Sequence, residues 1–262
     1  MNKYRKPHRY KRRKSILRNK YFWLVLLFLL VISGIFYLIC FYSFFQIKEI
    51  KISGNQKVSS PALEEIIKKK IEKKILFFPS SSIFLADLNK ISNDVLKAFP
   101  LIGEIKMERN FSDAIAVNVK ERSPVAILIQ GENTFYLDKE GIIFEPAGAE
   151  EDLIKIIDKQ KTNNLGEQAM SKEKLSQILD IDYKLKSDLK IPLQQFEMES
   201  DDKLNLVMSE GWQAYFNLSN DVNWQLTKLR AVLEEKIPPE KRKDLEYIEL
   251  RFGNYAPFKY KN

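Results

Sequence analysis

The residue types that most often do chemistry are scarce in this chain and poorly placed for it. Its one histidine, His8, and its one cysteine, Cys40, both precede residue 46, so everything from Gln46 onward lacks both. Triads that activate a nucleophile through imidazole or thiolate, and zinc sites built on those ligands, are therefore excluded there. Carboxylates stand in adjacent pairs at Glu150-Glu151 and Asp201-Asp202, a composition suited in principle to acid–base work or calcium. Both pairs fall in stretches that read as loops, without the spacing of an EF-hand and with lysines close by, so they read as solvated turns. The nine glycines are scattered and form no phosphate-cradling loop. These residues predict a binding protein that is not an enzyme, with no metal, no cofactor and no small-molecule substrate.

The binding surface is expected at the last strand, Leu245 to Phe252. There Ile248, Leu250 and Phe252 alternate with Tyr247, Glu249 and Arg251, so one face packs on a core and the other presents a polar row. Gly253-Asn254 breaks the pattern, leaving residues 254–262 as a short tail that carries Asn254, Tyr255 and Phe258.

Charge and hydropathy say where such a protein sits. The net charge of +8 comes from the first twenty residues, which hold ten Lys/Arg and no Asp/Glu; taking those ten from 43 leaves 33 basic against 35 acidic residues. Tyr21 to Phe45 then runs without an ionisable charge, longer than the about 20 residues needed to cross roughly 30 Å of hydrocarbon. Aromatic residues gather at both ends of this run, as at membrane interfaces, and the cations on its front flank place the N-terminus in the cytoplasm. A cleavable signal peptide has a shorter apolar region ending in a small-x-small site, and Phe41 to Phe45 offers only Ser43. The basic tail, 1–20, reads as a topology signal beside an anionic leaflet rather than a nucleic-acid-binding arm, and no nucleic-acid partner is expected. With no cysteine beyond the span, the exported part is stabilised by packing and not by disulfides.

Beyond the span the order of elements is strand, helix, helix, strand, strand. Gln46 to Ile52 alternates and stops at Ser53-Gly54-Asn55. A helix begins with Ser60 as N-cap and Pro61 at the first helical position, its stripe being Leu63, Ile66, Ile67 and Ile71. A loop with Pro79 and Ser80 to Ser82 leads to a second helix with Leu88, Ile91, Val95, Leu96 and Phe99, which Pro100 ends. Strands follow at 102–108 and 114–121. From Pro124 strands dominate: a meander at 125–130, 134–138 and 141–145, then 153–157, a loop at 159–168, and strands at 195–199, 203–208, 213–218 and 245–252. Two helices interrupt them, one capped by Ser171 and one at 221–235 with the stripe Val222, Leu226, Leu229 and Leu233.

In this order, Phe45-Gln46-Ile47-Lys48-Glu49-Ile50-Lys51-Ile52-Ser53-Gly54-Asn55, then Val119-Lys120-Glu121-Arg122-Ser123-Pro124-Val125-Ala126, then Tyr136-Leu137-Asp138-Lys139-Glu140-Gly141 and Tyr247-Ile248-Glu249-Leu250-Arg251-Phe252-Gly253 resemble the FtsQ/DivIB cell-division proteins of the bacterial divisome. The resemblance implies an α+β protein: a basic tail at 1–20, a transmembrane helix at 21–45, a POTRA domain (βααββ) at 46–123, a mostly antiparallel β domain with two helices at 124–253, and a short tail at 254–262. It further implies a bitopic scaffold at the division septum that binds FtsB (DivIC)-like and FtsL-like partners and helps regulate septal wall synthesis. In that family the terminal strand pairs with an extended partner segment, which makes Tyr247, Glu249, Arg251, Phe252, Asn254, Tyr255 and Phe258 the expected partner-binding residues here. POTRA-like order by itself also suits a secretion or translocation component that handles client chains, and that alternative stays open.

Overall fold

The computed structural model describes residues 19–75, 77–111, 113–148 and 153–261. Most of the basic tail, with His8, and the Glu150-Glu151 pair lie outside the described residues. The first element, α1 (Lys20–Phe41), has 22 residues, giving a rod of about 33 Å at 1.5 Å per residue. It is long and apolar enough to cross a membrane. Asn19 caps its start, accepting from the backbone N–H of Tyr21 at 3.1 Å. Its end is capped from outside the helix: the hydroxyls of Ser80 and Ser82 donate to the carbonyls of Cys40 (2.6 Å) and Ile39 (2.7 Å). The Gln46 amide donates to the Cys40 carbonyl as well (2.8 Å). These bonds satisfy carbonyls that a helix end leaves without an internal partner.

After a 3₁₀ turn at Ser43–Phe45 come β1 (Glu49–Ser53), α2 (Ser60–Ile71), β2 (Lys73–Ile75), β3 (Phe78–Ser80), α3 (Leu88–Ala98), β4 (Ile102–Asn110) and β5 (Ala114–Glu121). The expected βααββ order is present, with β1, β5 and β4 adjacent in one sheet. Two local readings change. The stretch between the helices, expected as a loop, holds the antiparallel hairpin β2–β3, with Lys73 opposite Ser80 and Ile75 opposite Phe78. The helix start moves by one residue: Leu63 N–H donates to the Ser59 carbonyl (3.1 Å), so Ser59 occupies the N-cap position. The Ser60 hydroxyl instead accepts from Asn55 (2.9 Å). Gly54 turns the chain out of β1 at φ +85°, where a side chain would collide with the Val119 carbonyl. The predicted stripes are inside: Leu63 and Ile67 of α2, and Ile91 and Val95 of α3, are buried.

The rest of the chain builds one nine-stranded sheet from β6 (Ala126–Gln130), β7 (Asn133–Leu137), β8 (Ile143–Pro146), β9 (Ile154–Asp158), β10 (Leu193–Met198), β11 (Lys203–Met208), β12 (Gln213–Asn217), β13 (Leu245–Glu249) and β14 (Phe258–Tyr260). The spatial order is 14-13-12-11-10-9-6-7-8. Five neighbouring pairs are antiparallel; β6–β9, β9–β10 and β12–β13 are parallel. A parallel pair needs a crossover of a dozen or more residues, usually a helix. Here α4 (Lys172–Lys184) lies in sequence between β9 and β10, and α5 (Val222–Glu235) between β12 and β13. Ser171 caps α4 as expected, accepting from Lys174 N–H at 3.3 Å. Asp221 caps α5, accepting from Asn223 and Trp224 N–H at 2.8 and 3.1 Å. Leu226, Leu229 and Leu233 of α5 and Leu175, Ile178 and Ile181 of α4 are buried in one core with Phe196, Trp212 and Phe216 of the sheet side. Each such side chain contributes about 1.5–3 kcal/mol by leaving water.

The C-terminal end departs most from expectation. The last long strand stops at Glu249, not Phe252, and Phe252 faces water instead of the core. The segment expected as a tail folds back as β14 and pairs antiparallel with β13, Tyr260 opposite Leu245 and Phe258 opposite Ile248. The strand expected at the sheet edge therefore has a neighbour on each side.

Candidate functional site

The two strands at this end set up the outward row. In the parallel β12–β13 pair, Gln213 lies opposite Tyr247 and Tyr215 opposite Glu249, while Ala214 and Ile248 pair on the alternate register and are fully buried. Strand alternation thus puts Tyr215, Tyr247 and Glu249 on one face. The Tyr215 and Tyr247 rings lie 5.5 Å apart. The Arg251 guanidinium sits 5.0 Å above the Tyr215 ring and 5.8 Å from that of Phe252, within cation–π range. It also forks onto Glu249, Nε to Oε1 at 2.8 Å and Nη2 to Oε2 at 2.5 Å, with Glu199 at 3.5 Å. The hydrogen bond to Glu249 holds the Arg251 pKa above its ordinary value, and burial pushes up that of Tyr215. Glu249 itself is buried. The charges of Glu249 and Arg251 are spent on each other, so what this face offers is a rigid, ring-flanked plane rather than a free ion.

The next residues are held by a lysine. Lys228, on α5 and 6% exposed, donates through Nζ to the carbonyls of Leu250 (2.6 Å), Gly253 (3.0 Å), Tyr255 (3.3 Å) and Phe252 (3.4 Å). Burial lowers its pKa, partly offset by the charge of Glu249. Four carbonyls converge on one ammonium, which fixes the turn after β13 with its side chains outward. Phe252 is 63% and Tyr255 81% exposed, a large apolar display for two rings three residues apart. Beside them Trp224, Thr227 and Ala231 of α5 form one wall of a shallow cleft of about 200 Å³, with Asn254 and Ala256 on the other. Trp224 is about half exposed.

Of the seven residues expected from the sequence, Tyr247, Glu249, Arg251 and Phe252 fall into one contiguous group, and Asn254 lines the cleft. Tyr255 stands out from the turn. Phe258 lies on β14, edge-on to Tyr260 with ring centres 5.7 Å apart. Sequence reasoning missed Tyr215, Trp224 and Lys228. Trp224 had a signal, being a large aromatic off the apolar stripe of an amphipathic helix. Tyr215 could be placed only once β12 and β13 were known to be parallel neighbours, and Lys228 looks like any lysine on a helix.

In the carboxylate pair at 201–202, Asp201 is engaged by lysines. Asp201 pairs with Lys161 (2.5 Å) and Lys174 (3.5 Å), and the hydrogen bond from Lys161 lowers its pKa. The conspicuous motif residues elsewhere are structural. Burial raises the pKa of Glu121, but the N–H groups of Val58, Lys57 and Gln56, all within 2.8–3.0 Å of its carboxylate, together outweigh it and leave the pKa lowered. Arg122 pairs with the buried Asp138 and donates to the Pro100 carbonyl (3.0 Å). Asp138 in turn accepts from the N–H groups of Glu140 (3.0 Å) and Ile142 (2.9 Å). That closes a turn in which Gly141, at φ +75°, leaves no room for a side chain against the Met170 carbonyl.

Comparison with known proteins agrees with this architecture. Residues 45–122 match the model of the FtsQ-type POTRA domain, and residues 126–251 match that of the C-terminal domain of cell division protein FtsQ/DivIB. The exposed Phe252, Asn254, Tyr255 and Phe258 follow the end of that second match. Among curated proteins, cell division protein DivIB of Clostridium acetobutylicum is 30% identical over 102 residues, 39% of this chain and 37% of its own length. Cell division protein FtsQ of Rickettsia bellii is 30% identical over 97 residues, 37% of this chain and 33% of its own. The chain thus spans about a third of the length of these relatives. Two consecutive domain matches, both of the same type and in the same order as the observed elements, show that this chain belongs to the FtsQ/DivIB family of cell-division proteins.

Proposed function

We propose that this chain is a non-catalytic, single-pass membrane scaffold of the divisome, with its N-terminus cytoplasmic and its folded domains outside. At the septum it binds FtsB (DivIC)-like and FtsL-like partners through the β14 end of the large sheet. The observation that carries the reading is the exposed pair Phe252 and Tyr255, held out by Lys228 beside the sheet edge. An extended partner segment adds to β14 by β-augmentation. The three residues of β14 offer about three ladder bonds, roughly 1.5–4.5 kcal/mol at net ~0.5–1.5 each. Association costs about 4–15 kcal/mol, so backbone pairing alone does not suffice and the aromatic anchors supply the surplus. FtsQ-type matches in both domains favour division partners over the client chains of a secretion component.

The test is binding of the full chain, in nanodiscs, to the FtsB- and FtsL-type ectodomains of the same organism. Phe252→Ala with Tyr255→Ala should abolish capture while leaving the melting temperature unchanged. Undiminished capture by the double variant would overturn the assigned surface.

A further inference from the structure

A second group of exposed aromatic rings lies at the other end of the chain, where α1 ends. Phe44, Phe45, Phe84 and Phe111 form one continuous cluster, with ring centres 5.2–6.4 Å apart. On the hairpin, Phe78 stands edge-on to Phe41, the last residue of α1, at 6.1 Å. Phe77, at the hairpin tip, is 95% exposed and adopts φ +82°. A bulky residue rarely takes that conformation, which costs about 1–3 kcal/mol. Five phenylalanines, Phe44, Phe77, Phe78, Phe84 and Phe111, are thus each about half exposed or more, and one of them is presented on a strained turn. Water is a poor environment for such a surface.

The position of the rings argues for what covers them. The hydroxyls of Ser80 and Ser82 and the amide of Gln46 hold the last carbonyls of α1, and Ile83 N–H donates to the Phe45 carbonyl (2.9 Å). The hairpin and the cluster are therefore fixed to the helix terminus rather than trailing from it. At about 33 Å, α1 just exceeds the roughly 30 Å of hydrocarbon, so Phe41 falls at the interface, the depth that aromatic rings prefer. The stretch from Lys73 to Ala86 carries two lysines and no acidic residue, which suits an anionic headgroup layer.

We infer that this phenylalanine rim is a membrane-seating surface, which inserts into the interfacial zone of the leaflet where α1 emerges. The inference rests on the proposed reading of α1 as a membrane span. The test uses the full chain in a Cys40→Ala background, reconstituted into nanodiscs of phosphatidylcholine and phosphatidylglycerol. An environment-sensitive fluorophore is attached at Phe77→Cys or Phe111→Cys, and at Phe28→Cys in the middle of α1. Spin-labelled lipids serve as quenchers. The expected result is a blue shift and quenching at 77 and 111 by lipids labelled near the headgroup, with quenching at 28 by lipids labelled deep in the chain. Quenching at 28 without any at 77 and 111 overturns the inference and leaves the span intact; the rim would then face water or a protein partner. Absence of quenching at 28 overturns the span reading and the rim with it. A Phe84→Cys label supplies an independent rim position if either of the other two variants fails to fold.

Discussion

Lys228 is a positioning residue whose worth is read in the turn it holds. Replacing it by Met keeps the stem inside the core but leaves the carbonyls of Leu250, Phe252, Gly253 and Tyr255 without their donor. Lys228→Met should weaken partner binding by about tenfold or more, the loss of one or two hydrogen bonds to a charge, and should raise hydrogen exchange over residues 250–256. Phe252→Ala and Tyr255→Ala individually should each cost about 2 kcal/mol of binding, roughly thirtyfold, with little change in melting temperature because both rings are mostly exposed. Titration of the partner by calorimetry measures all three. Glu121 gives a pH prediction. Its folded-state pKa is below the unfolded one, so its stabilisation is present above the ordinary carboxylate range and is lost as pH falls through the folded value. Glu121→Gln should therefore lower stability at neutral pH by on the order of 1 kcal/mol, held small by solvent exposure, and flatten the acid side of the stability profile measured by urea unfolding. The motif around Glu121 was legible as letters, but its use was not. A carboxylate that accepts three backbone N–H groups about 63–65 residues earlier in the chain requires the fold before it can be seen.

The elements were read well where a single periodicity governs them. The stripes of α2, α3 and α5 and the alternation of β4 and β5 all derive from which side faces a core. The misreadings occur where that rule is silent or is overridden by a tertiary contact. Lys73-Lys74-Ile75 and Phe78-Pro79-Ser80 are too short and too mixed to show alternation, so the hairpin was invisible. Phe252 continues the period of Ile248 and Leu250, yet the strand ends at Glu249 because the Lys228 anchor turns the chain away. Whether β14 forms the docking edge can be tested at this scale. Lys259→Pro removes a backbone donor in the middle of a three-residue strand and should reduce partner binding while the remaining strands keep their exchange protection. If binding rises instead, β14 occupies the place of the partner strand and must leave before docking. Gly141→Ala should destabilise the sheet end around β7 and β8 by about 1–3 kcal/mol from backbone conformation alone, and more from the clash with Met170.

At the level of the whole molecule, charge placement was the most informative sequence property. Ten of 43 basic residues fall in the first twenty positions, at the front of the one long apolar helix among the described residues, and the rest of the chain is near neutrality. Leu29→Arg, near the middle of α1, should cost about 2.5–3.5 kcal/mol of insertion and shift part of the protein out of the alkali-resistant membrane fraction. The unchanged chain should stay in that fraction. The family, too, could be recognised from ordered motifs, two of which contain a turn glycine, Gly54 or Gly141, whose place admits no side chain. The binding surface could be recognised only in part, since it depends on which strands become neighbours.

The serine caps on the last carbonyls of α1 make that helix a strut rather than a leash. Each residue added to a helix rotates the chain beyond it by about 100°, so with Ile39 and Cys40 clamped by Ser82 and Ser80 the hairpin keeps one azimuth around the helix axis. Any protein that touches both the helix and the hairpin must then approach from one compass bearing, and twisting the helix within the bilayer would steer the hairpin as a rudder turns with its post.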